Sequence, residues 1–129
     1  MNKTILVVED EQSLIDVITA KIKTCGCDVL SARSVDQALG YMKDEAKVDV
    51  IWLDHYLLGK ENGLDFVNTL KNNPDWKKIP IFVVSNTATP EKVQAYLELG
   101  VERYYTKANF RLDDILKEIK EVIEKGENA

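Results

Sequence analysis

The sequence predicts an α/β protein in which a parallel β-sheet is covered by helices on both faces. Short apolar runs rich in β-branched residues alternate along the chain with segments whose apolar residues recur at helical spacing. The runs are nearly unbroken, which is typical of strands buried on both faces. Five strands alternating with five helices require right-handed crossovers, and these produce a parallel sheet between two helical layers.

Five segments have the composition of strands. The clearest are residues 5–8, 48–53 and 81–84, which are short and almost entirely apolar. Weaker runs at residues 28–30 and 101–105 complete the series. We therefore expect one sheet with a helical segment after each strand.

Helical segments follow each of these runs and carry signals at their ends. Ser34 with Gln37 matches a capping box, and residues 89–91 supply an N-cap threonine, a proline at the first helical position and a first-turn acid. Gly26 and Gly100 stand where helices end. The periodic apolar positions are Leu14, Ile15, Ile18 and Ile22; Val35, Ala38, Leu39 and Met42; Leu64, Val67 and Leu70; Val93, Tyr96 and Leu97; and Leu112, Ile115, Leu116, Ile119, Val122 and Ile123.

The bulk properties fit one domain and exclude several classes of function. A length of 129 residues and an apolar content of 45% suit a single hydrophobic core, and we expect a domain over residues 1–125 with a flexible tail over residues 126–129. The net charge of −5 argues against direct nucleic-acid binding. No apolar run approaches the roughly 20 residues that span a bilayer, and no signal-peptide pattern opens the chain, so we expect no membrane contact and a cytoplasmic location.

Polar side chains gather at the ends of four of the five predicted strands. They are Glu9 and Asp10, Asp54, Ser85, and Lys107. Each has an ordinary reading when taken alone: Asp10 as an N-cap, Ser85 as a loop hydroxyl, Lys107 as an exposed cation. Because the carboxyl ends of parallel strands line the ligand crevice of an open α/β sheet, their joint occurrence predicts a functional site.

These residues resemble those of response regulator receiver domains of two-component signal transduction, over residues 3–124. The resemblance rests on I-L-V-V-E-D-E at residues 5–11, V-D-V-I-W-L-D at residues 48–54 followed by Gly63, I-P-I-F-V-V-S at residues 79–85, and Y-Y-T-K at residues 104–107. It implies a flavodoxin-like, doubly wound five-stranded parallel sheet of order 2-1-3-4-5 with five helices, in three α/β/α layers.

The resemblance also implies a phosphoacceptor switch. Asp54 would accept a phosphoryl group from the phosphohistidine of a histidine kinase in a Mg²⁺-dependent reaction. Asp10 and Asp54 would bind Mg²⁺ directly, with the backbone carbonyl of Tyr56 as a third ligand and Glu9 acting through water. Lys107 would reach the phosphoryl group from two strands away, which requires a long side chain.

Ser85, on the strand beside Asp54, needs only a short hydroxyl to reach the same group. By resemblance, Ser85 would move toward the phosphoryl group, Tyr104 would turn inward, and the signal would leave through the face of helix 4, strand 5 and helix 5. Tyr104 reads equally well as a core residue.

The resemblance implies a sensor histidine kinase or a histidine phosphotransfer protein as partner, and a downstream effector protein that the sequence does not identify. We expect a monomer or a weak dimer linked to phosphorylation. The chain would not be an enzyme on separate substrates, because it would catalyse only its own phosphorylation and slow dephosphorylation.

Three other functions remain as alternatives. A phosphatase of the haloacid dehalogenase type needs a second Asp two residues after the first, where Tyr56 stands. A nucleotide or flavin module would need a glycine-rich phosphate loop, and none is present. A degenerate receiver acting only as a binding platform is disfavoured by the complete set of site residues.

Several positions depart from the usual receiver pattern. Ala108 replaces the common proline after Lys107, which leaves the isomer of this peptide bond open. The loop before Gly63 is one residue longer than usual, and Asn86 stands where Ala or Gly is typical. We read His55 as a surface neighbour of the site, and Trp52 and Trp76 as packing residues.

Overall fold

The computed structural model describes residues 2–44, 47–86 and 89–127. Strands and helices alternate throughout, and a short 3₁₀ turn at Lys107–Asn109 precedes the last helix. The elements are β1 (Thr4–Val8), α1 (Gln12–Thr24), β2 (Asp28–Ala32), α2 (Val35–Lys43), β3 (Val50–Leu53), α3 (Gly63–Lys71), β4 (Ile81–Ser85), α4 (Pro90–Glu98), β5 (Arg103–Thr106) and α5 (Leu112–Glu127).

The five strands form one parallel sheet in the order β2-β1-β3-β4-β5, which confirms the predicted fold. The winding direction reverses between β1 and β3, and ligand sites of such sheets lie at this reversal. Val8 at the end of β1 is paired with Leu53 at the end of β3. The residues that follow these two strands therefore leave the sheet side by side.

The hydrophobic core has two layers, one on each face of the sheet. Alternate strand residues point to opposite faces, so Leu6 packs with α2, α3 and α4, whereas Val7 packs with α1 and α5. The central strands are buried on both faces, which explains their unbroken apolar sequences. Trp52 is fully buried in the second layer and Trp76 packs against the first, as predicted.

The predicted helix signals are largely present. The Ser34 side chain accepts a hydrogen bond from the backbone N–H of Gln37, although the Gln37 side chain accepts from Arg33 rather than from the cap residue. Thr89 caps α4, with Pro90 at its first position. Gly26 and Gly100, which follow the last turns of α1 and α4, have the positive φ angles that favour glycine.

Several element boundaries differ from the predictions by one or two residues, and β2 continues to Ala32 rather than ending at residue 30. β3 begins at Val50 rather than at residue 48, and β5 begins at Arg103 rather than at residue 101. α5 continues to Glu127, two residues into the segment predicted as a tail, and residues 128–129 lie outside the described part of the chain. Across the described residues, none of the helices combines the length and the apolar character needed to cross a bilayer.

Candidate functional site

Glu9, the first residue after β1, is fully buried, and both of its carboxylate oxygens accept hydrogen bonds. Its Oε2 accepts hydrogen bonds from the backbone N–H groups of Asp10 and Glu11, at 2.9 and 3.3 Å. Its Oε1 accepts from the ammonium group of Lys107 at 2.6 Å. Glu9 therefore fixes the turn into α1 and holds Lys107 in the site.

Asp10 faces the acidic cluster and does not cap a helix. The N-cap of α1 is Glu11, and no side chain completes that cap, so the alternative reading of Asp10 as an N-cap is wrong. Burial, and then a hydrogen bond to Glu9 and its negative charge, raise the pKa of Asp10 above its usual range. The surroundings of Asp10 therefore disfavour the ionised form of its carboxyl group.

Asp54 directly follows the central strand β3 and is 4% exposed. Its backbone N–H donates to the Val8 carbonyl at 2.9 Å, which extends the pairing of β3 with β1 by one step. Its Oδ1 accepts a hydrogen bond from the backbone N–H of His55 at 2.8 Å, and its Oδ2 lies 3.6 Å from the Lys107 ammonium. The two oxygens of one carboxylate therefore have different surroundings.

Lys107 reaches this cluster from the end of β5, with only 18% of its side chain exposed. Burial alone would lower its pKa, but the hydrogen bond to Glu9 and the charge of Asp54 outweigh that effect and raise it. No cis peptide bond occurs among the described residues, so the bond between Lys107 and Ala108 is trans. Ala108 thereby enters a 3₁₀ turn with an ordinary peptide geometry.

Ser85 and Tyr104 lie on the neighbouring strands β4 and β5 and face the same side of the sheet. Val83 is paired with Tyr104, and Ser85, two residues further along β4, points to the same face as Val83. Ser85 is fully buried, whereas Tyr104 is half-buried. The Tyr104 ring packs against the ring of Tyr96 on α4, with ring centroids 5.6 Å apart.

The prediction that His55 is a surface neighbour is wrong, because the residue is only 7% exposed. The Nδ1 of its ring lies 2.6 Å from the hydroxyl of Tyr96, which draws the ring under α4. Burial, followed by the positive charge of Lys92, lowers the pKa of His55. The sequence shows Tyr96 only as one more residue of an apolar stripe, so this pair has no local signal.

Arg33, directly after β2, is a site neighbour that the sequence reasoning missed. Its guanidinium donates two hydrogen bonds to the backbone carbonyl of Asp10, from Nε at 2.9 Å and from Nη2 at 2.5 Å. The rule that identified the other residues, a polar side chain at the carboxyl end of a strand, applies equally to Arg33. Applying the rule to β2 would have identified Arg33 as a residue near the site.

The loop between β3 and α3 is anchored at its middle and at its C-terminal end. Leu58 donates its backbone N–H to the Arg33 carbonyl at 2.9 Å and forms a bridge with Ser34. At the C-terminal end, Asn62 and Asp65 form a capping box that begins α3. The middle of the loop is therefore held against the turn after β2.

Three further positions lie around the site. The hydroxyl of Tyr56 accepts a hydrogen bond from Lys92 at 3.0 Å, and about half of its side chain (51%) is exposed. Asn86 is exposed at the start of the loop after β4. Thr87, the next residue, lies outside the described residues.

The acidic cluster fits a hard divalent cation. One carboxylate oxygen from each of Glu9, Asp10 and Asp54 lies within 4.8 Å of the other two. Oxygen-only donors suit Mg²⁺, Ca²⁺ or Mn²⁺ rather than softer metals. Because Glu9 is already bonded to Lys107 and to two backbone N–H groups, Asp10 and Asp54 are the carboxylates best able to hold a cation.

Comparisons with known proteins find response regulators and their receiver domains. The profile of the response regulator receiver domain matches residues 5–120. The alkaline phosphatase synthesis transcriptional regulatory protein PhoP of Bacillus subtilis is 31% identical, and the match covers all of this chain but only 52% of that protein. Response regulator Rcp1 of Synechocystis is 30% identical, with 92% of this chain and 84% of that protein covered.

Solved structures show the same architecture. A CheY-like receiver domain protein from Methanospirillum hungatei superimposes with a TM-score of 0.88 at 20% identity, over 99% of this chain and 98% of that chain. The Mn²⁺-bound form of Rcp1 gives a TM-score of 0.78 at 27% identity, over 93% of this chain and 91% of that chain. By its sequence profile, its relatives and its fold, the chain belongs to the response regulator receiver domain family.

Proposed function

We propose that this domain is the phosphoacceptor switch of a two-component phosphorelay, in which Asp54 accepts a phosphoryl group from the phosphohistidine of a sensor histidine kinase or a histidine phosphotransfer protein. The observation that carries the proposal is the position of Asp54. Its buried carboxylate directly follows the central strand, beside two further carboxylates and 3.6 Å from the Lys107 ammonium. Phosphoryl transfer depends mainly on such positioning and charge neutralisation.

The two oxygens of Asp54 would have separate tasks. The backbone N–H of His55 holds Oδ1 and thereby orients the carboxylate, which leaves Oδ2 to attack phosphorus. A bond forms between Oδ2 and phosphorus while the bond from phosphorus to the donor histidine nitrogen breaks, and the electron pair stays on that nitrogen. Lys107, which already lies near Oδ2, neutralises the charge on the phosphoryl oxygens, and the Ser85 hydroxyl donates to one of them.

Mg²⁺ is the cofactor that the site is proposed to use. When bound, Mg²⁺ supplies positive charge that neutralises the non-bridging phosphoryl oxygens. Asp10, Asp54 and the backbone carbonyl of Tyr56 would hold it, with Glu9 acting through water. The cluster of carboxylate oxygens supports this assignment.

The output is proposed to leave through the face formed by α4, β5 and α5. Ser85 and Tyr104 point to the same side of the sheet, and Tyr104 contacts α4 through Tyr96, which supports a path from the site to that face. The domain would act on no separate substrate and would bind no nucleic acid itself, in keeping with its net charge of −5. The chain spans about half the length of PhoP.

Phosphorylation by a small acyl phosphate tests the proposal directly. Incubation with acetyl phosphate and Mg²⁺ should add one phosphoryl group, detected by intact-mass spectrometry, and Asp54→Asn should abolish it. Asp113→Asn is a matched control, because it neutralises an exposed carboxylate at the start of α5 and should leave the label unchanged. A label that persists on Asp54→Asn contradicts the assignment, and a wild-type protein that accepts no phosphoryl group favours the degenerate platform.

A further inference from the structure

A buried pair of polar side chains joins the phosphorylation site to α4. The Nδ1 of His55 lies 2.6 Å from the hydroxyl of Tyr96, and the two residues are 7% and 0% exposed. A buried polar group that loses its partner is left both without water and without a hydrogen bond, so this contact is costly to break.

On one side, this pair is connected to Asp54 through the backbone. The N–H of His55 donates to Oδ1 of Asp54 at 2.8 Å, and its carbonyl accepts from the N–H of Gly63 at 2.9 Å. A Cβ at Gly63 would collide with the Tyr96 hydroxyl and would come within 3.0 Å of the Asp54 carbonyl. His55 is thus held by its N–H, its carbonyl and its ring, and the glycine makes room for the hydroxyl.

On the other side, the pair is connected to α4. Tyr96 is the buried residue of this helix, while Leu97 beside it is 48% exposed. The ring of Tyr96 also packs against Tyr104 on β5. A displacement of His55 would therefore reach α4 through a residue that also contacts the proposed switch tyrosine.

We propose that His55 and Tyr96 are positioning residues that orient the Asp54 carboxylate and couple its phosphorylation to α4. This inference rests on the proposed function of Asp54. Attaching a phosphoryl group to Oδ2 changes the charge and the orientation of the carboxylate whose Oδ1 accepts from His55. The His55 segment responds, and the hydrogen bond to Tyr96 carries that response to the helix.

Tyr96→Phe removes the hydroxyl and keeps the ring, and Tyr105→Phe provides a matched control. Tyr105 is also buried, at 4% exposure, but its hydroxyl has no hydrogen-bond partner among the described residues. Amide hydrogen exchange, measured by NMR in the unphosphorylated proteins, reports the positioning role. The His55 amide should exchange about fivefold faster in Tyr96→Phe, as expected for the loss of one hydrogen bond, and at the wild-type rate in Tyr105→Phe.

Coupling is measured by repeating the exchange experiment with acetyl phosphate and Mg²⁺. Phosphorylation should change the exchange of the α4 amides in the wild type and in Tyr105→Phe, and this change should fall by half or more in Tyr96→Phe. A variant that merely loosened the helix would raise exchange equally in both states. Equal phosphorylation responses in Tyr96→Phe and the wild type, or equal His55 exchange in the two phenylalanine variants, would overturn the inference.

A double-mutant cycle with His55→Leu tests the pair itself. Once His55 is replaced, Tyr96→Phe should have little further effect on α4 exchange, because the hydroxyl has already lost its partner. An undiminished effect would show that the hydroxyl acts elsewhere and would refute the link. If the wild-type protein accepts no phosphoryl group, the proposed function fails by itself, while the exchange of the His55 amide still decides the positioning role.

Discussion

Replacing Lys107 with methionine removes an ammonium group from the centre of the acidic cluster while keeping an apolar side chain of similar length. In the structure this group donates to Glu9 at 2.6 Å and lies 3.6 Å from Asp54. The Glu9 side chain is 1% exposed and that of Asp54 is 6% exposed, so water cannot replace the lost cation. We expect a large loss of stability in the absence of divalent cations.

The magnitude follows from the burial of the partners. Removing one member of a buried ion pair typically costs about 3–5 kcal/mol, because the remaining charge stays buried and uncompensated. Lys107 itself is 18% exposed, which places the expected cost at the lower end, about 3 kcal/mol. Lys21→Met is a matched control, since Lys21 pairs with Asp113 at 3.0 Å but both side chains are well exposed. That variant should lose less than about 1 kcal/mol.

Urea denaturation at neutral pH, with and without Mg²⁺, measures both variants. Mg²⁺ should restore part of the stability lost in Lys107→Met, whereas it should stabilise Lys21→Met by the same amount as the wild type. Because the pKa of Lys107 is raised, its stabilisation is fully present below its ordinary pKa of 10.5 and disappears as the pH rises through its folded-state pKa. Equal losses in the two methionine variants at neutral pH would refute the view that Lys107 compensates a buried acidic cluster.

Three further predictions concern the same site. Asp10→Asn should stabilise the protein without Mg²⁺ at neutral pH, because burial and the neighbouring Glu9 disfavour ionised Asp10 in the folded state and raise its pKa. This gain should vanish at acid pH, where Asp10 is protonated in both the folded and the unfolded state. Asp10→Asn should also weaken Mg²⁺ binding more than Glu9→Gln does, when binding is measured by titration of the tryptophan fluorescence. Equal weakening in the two variants would contradict the assignment of Asp10 as a direct ligand. Asn86→Ala should release phosphate from phosphorylated Asp54 faster than the wild type, which we expect to hold it for many minutes or longer, because we expect the amide to crowd the path of the attacking water and misplacement by about 1 Å can cost roughly 10²-fold in rate. A slower decay would mean that the amide orients the water, and an unchanged decay would also refute the crowding argument. Gly63→Ala should lower the stability by about 1–3 kcal/mol through overpacking, measured by thermal unfolding, and an unchanged midpoint would show that the loop can move aside.

Much of the fold follows from local patterns. Strand composition, helical spacing and end caps depend on neighbours within a few residues, so the ten elements and their order could be predicted, with errors of one or two residues at boundaries such as Val50 and Arg103. The gathering of the reactive residues could also be predicted, because topology brings the carboxyl ends of parallel strands to one edge. That rule was sufficient to predict that Asp10 and Asp54 lie in the site.

The contacts within the site were decided only by the tertiary structure. The side chain that packs beneath α4 is determined by contacts between segments that are distant in the sequence. The burial of His55 against Tyr96 therefore could not be predicted from the helical or strand spacing of apolar residues. Lys107 and Glu9 are 98 residues apart in the sequence, and the fold brings them into contact. They pair because a buried carboxylate is destabilised unless a cation or a hydrogen-bond donor contacts it. The sequence by itself determined the fold and the chemistry available at one edge of the sheet, and the tertiary structure decided which charges and hydroxyls meet there, because burial and reach are properties of the assembled chain.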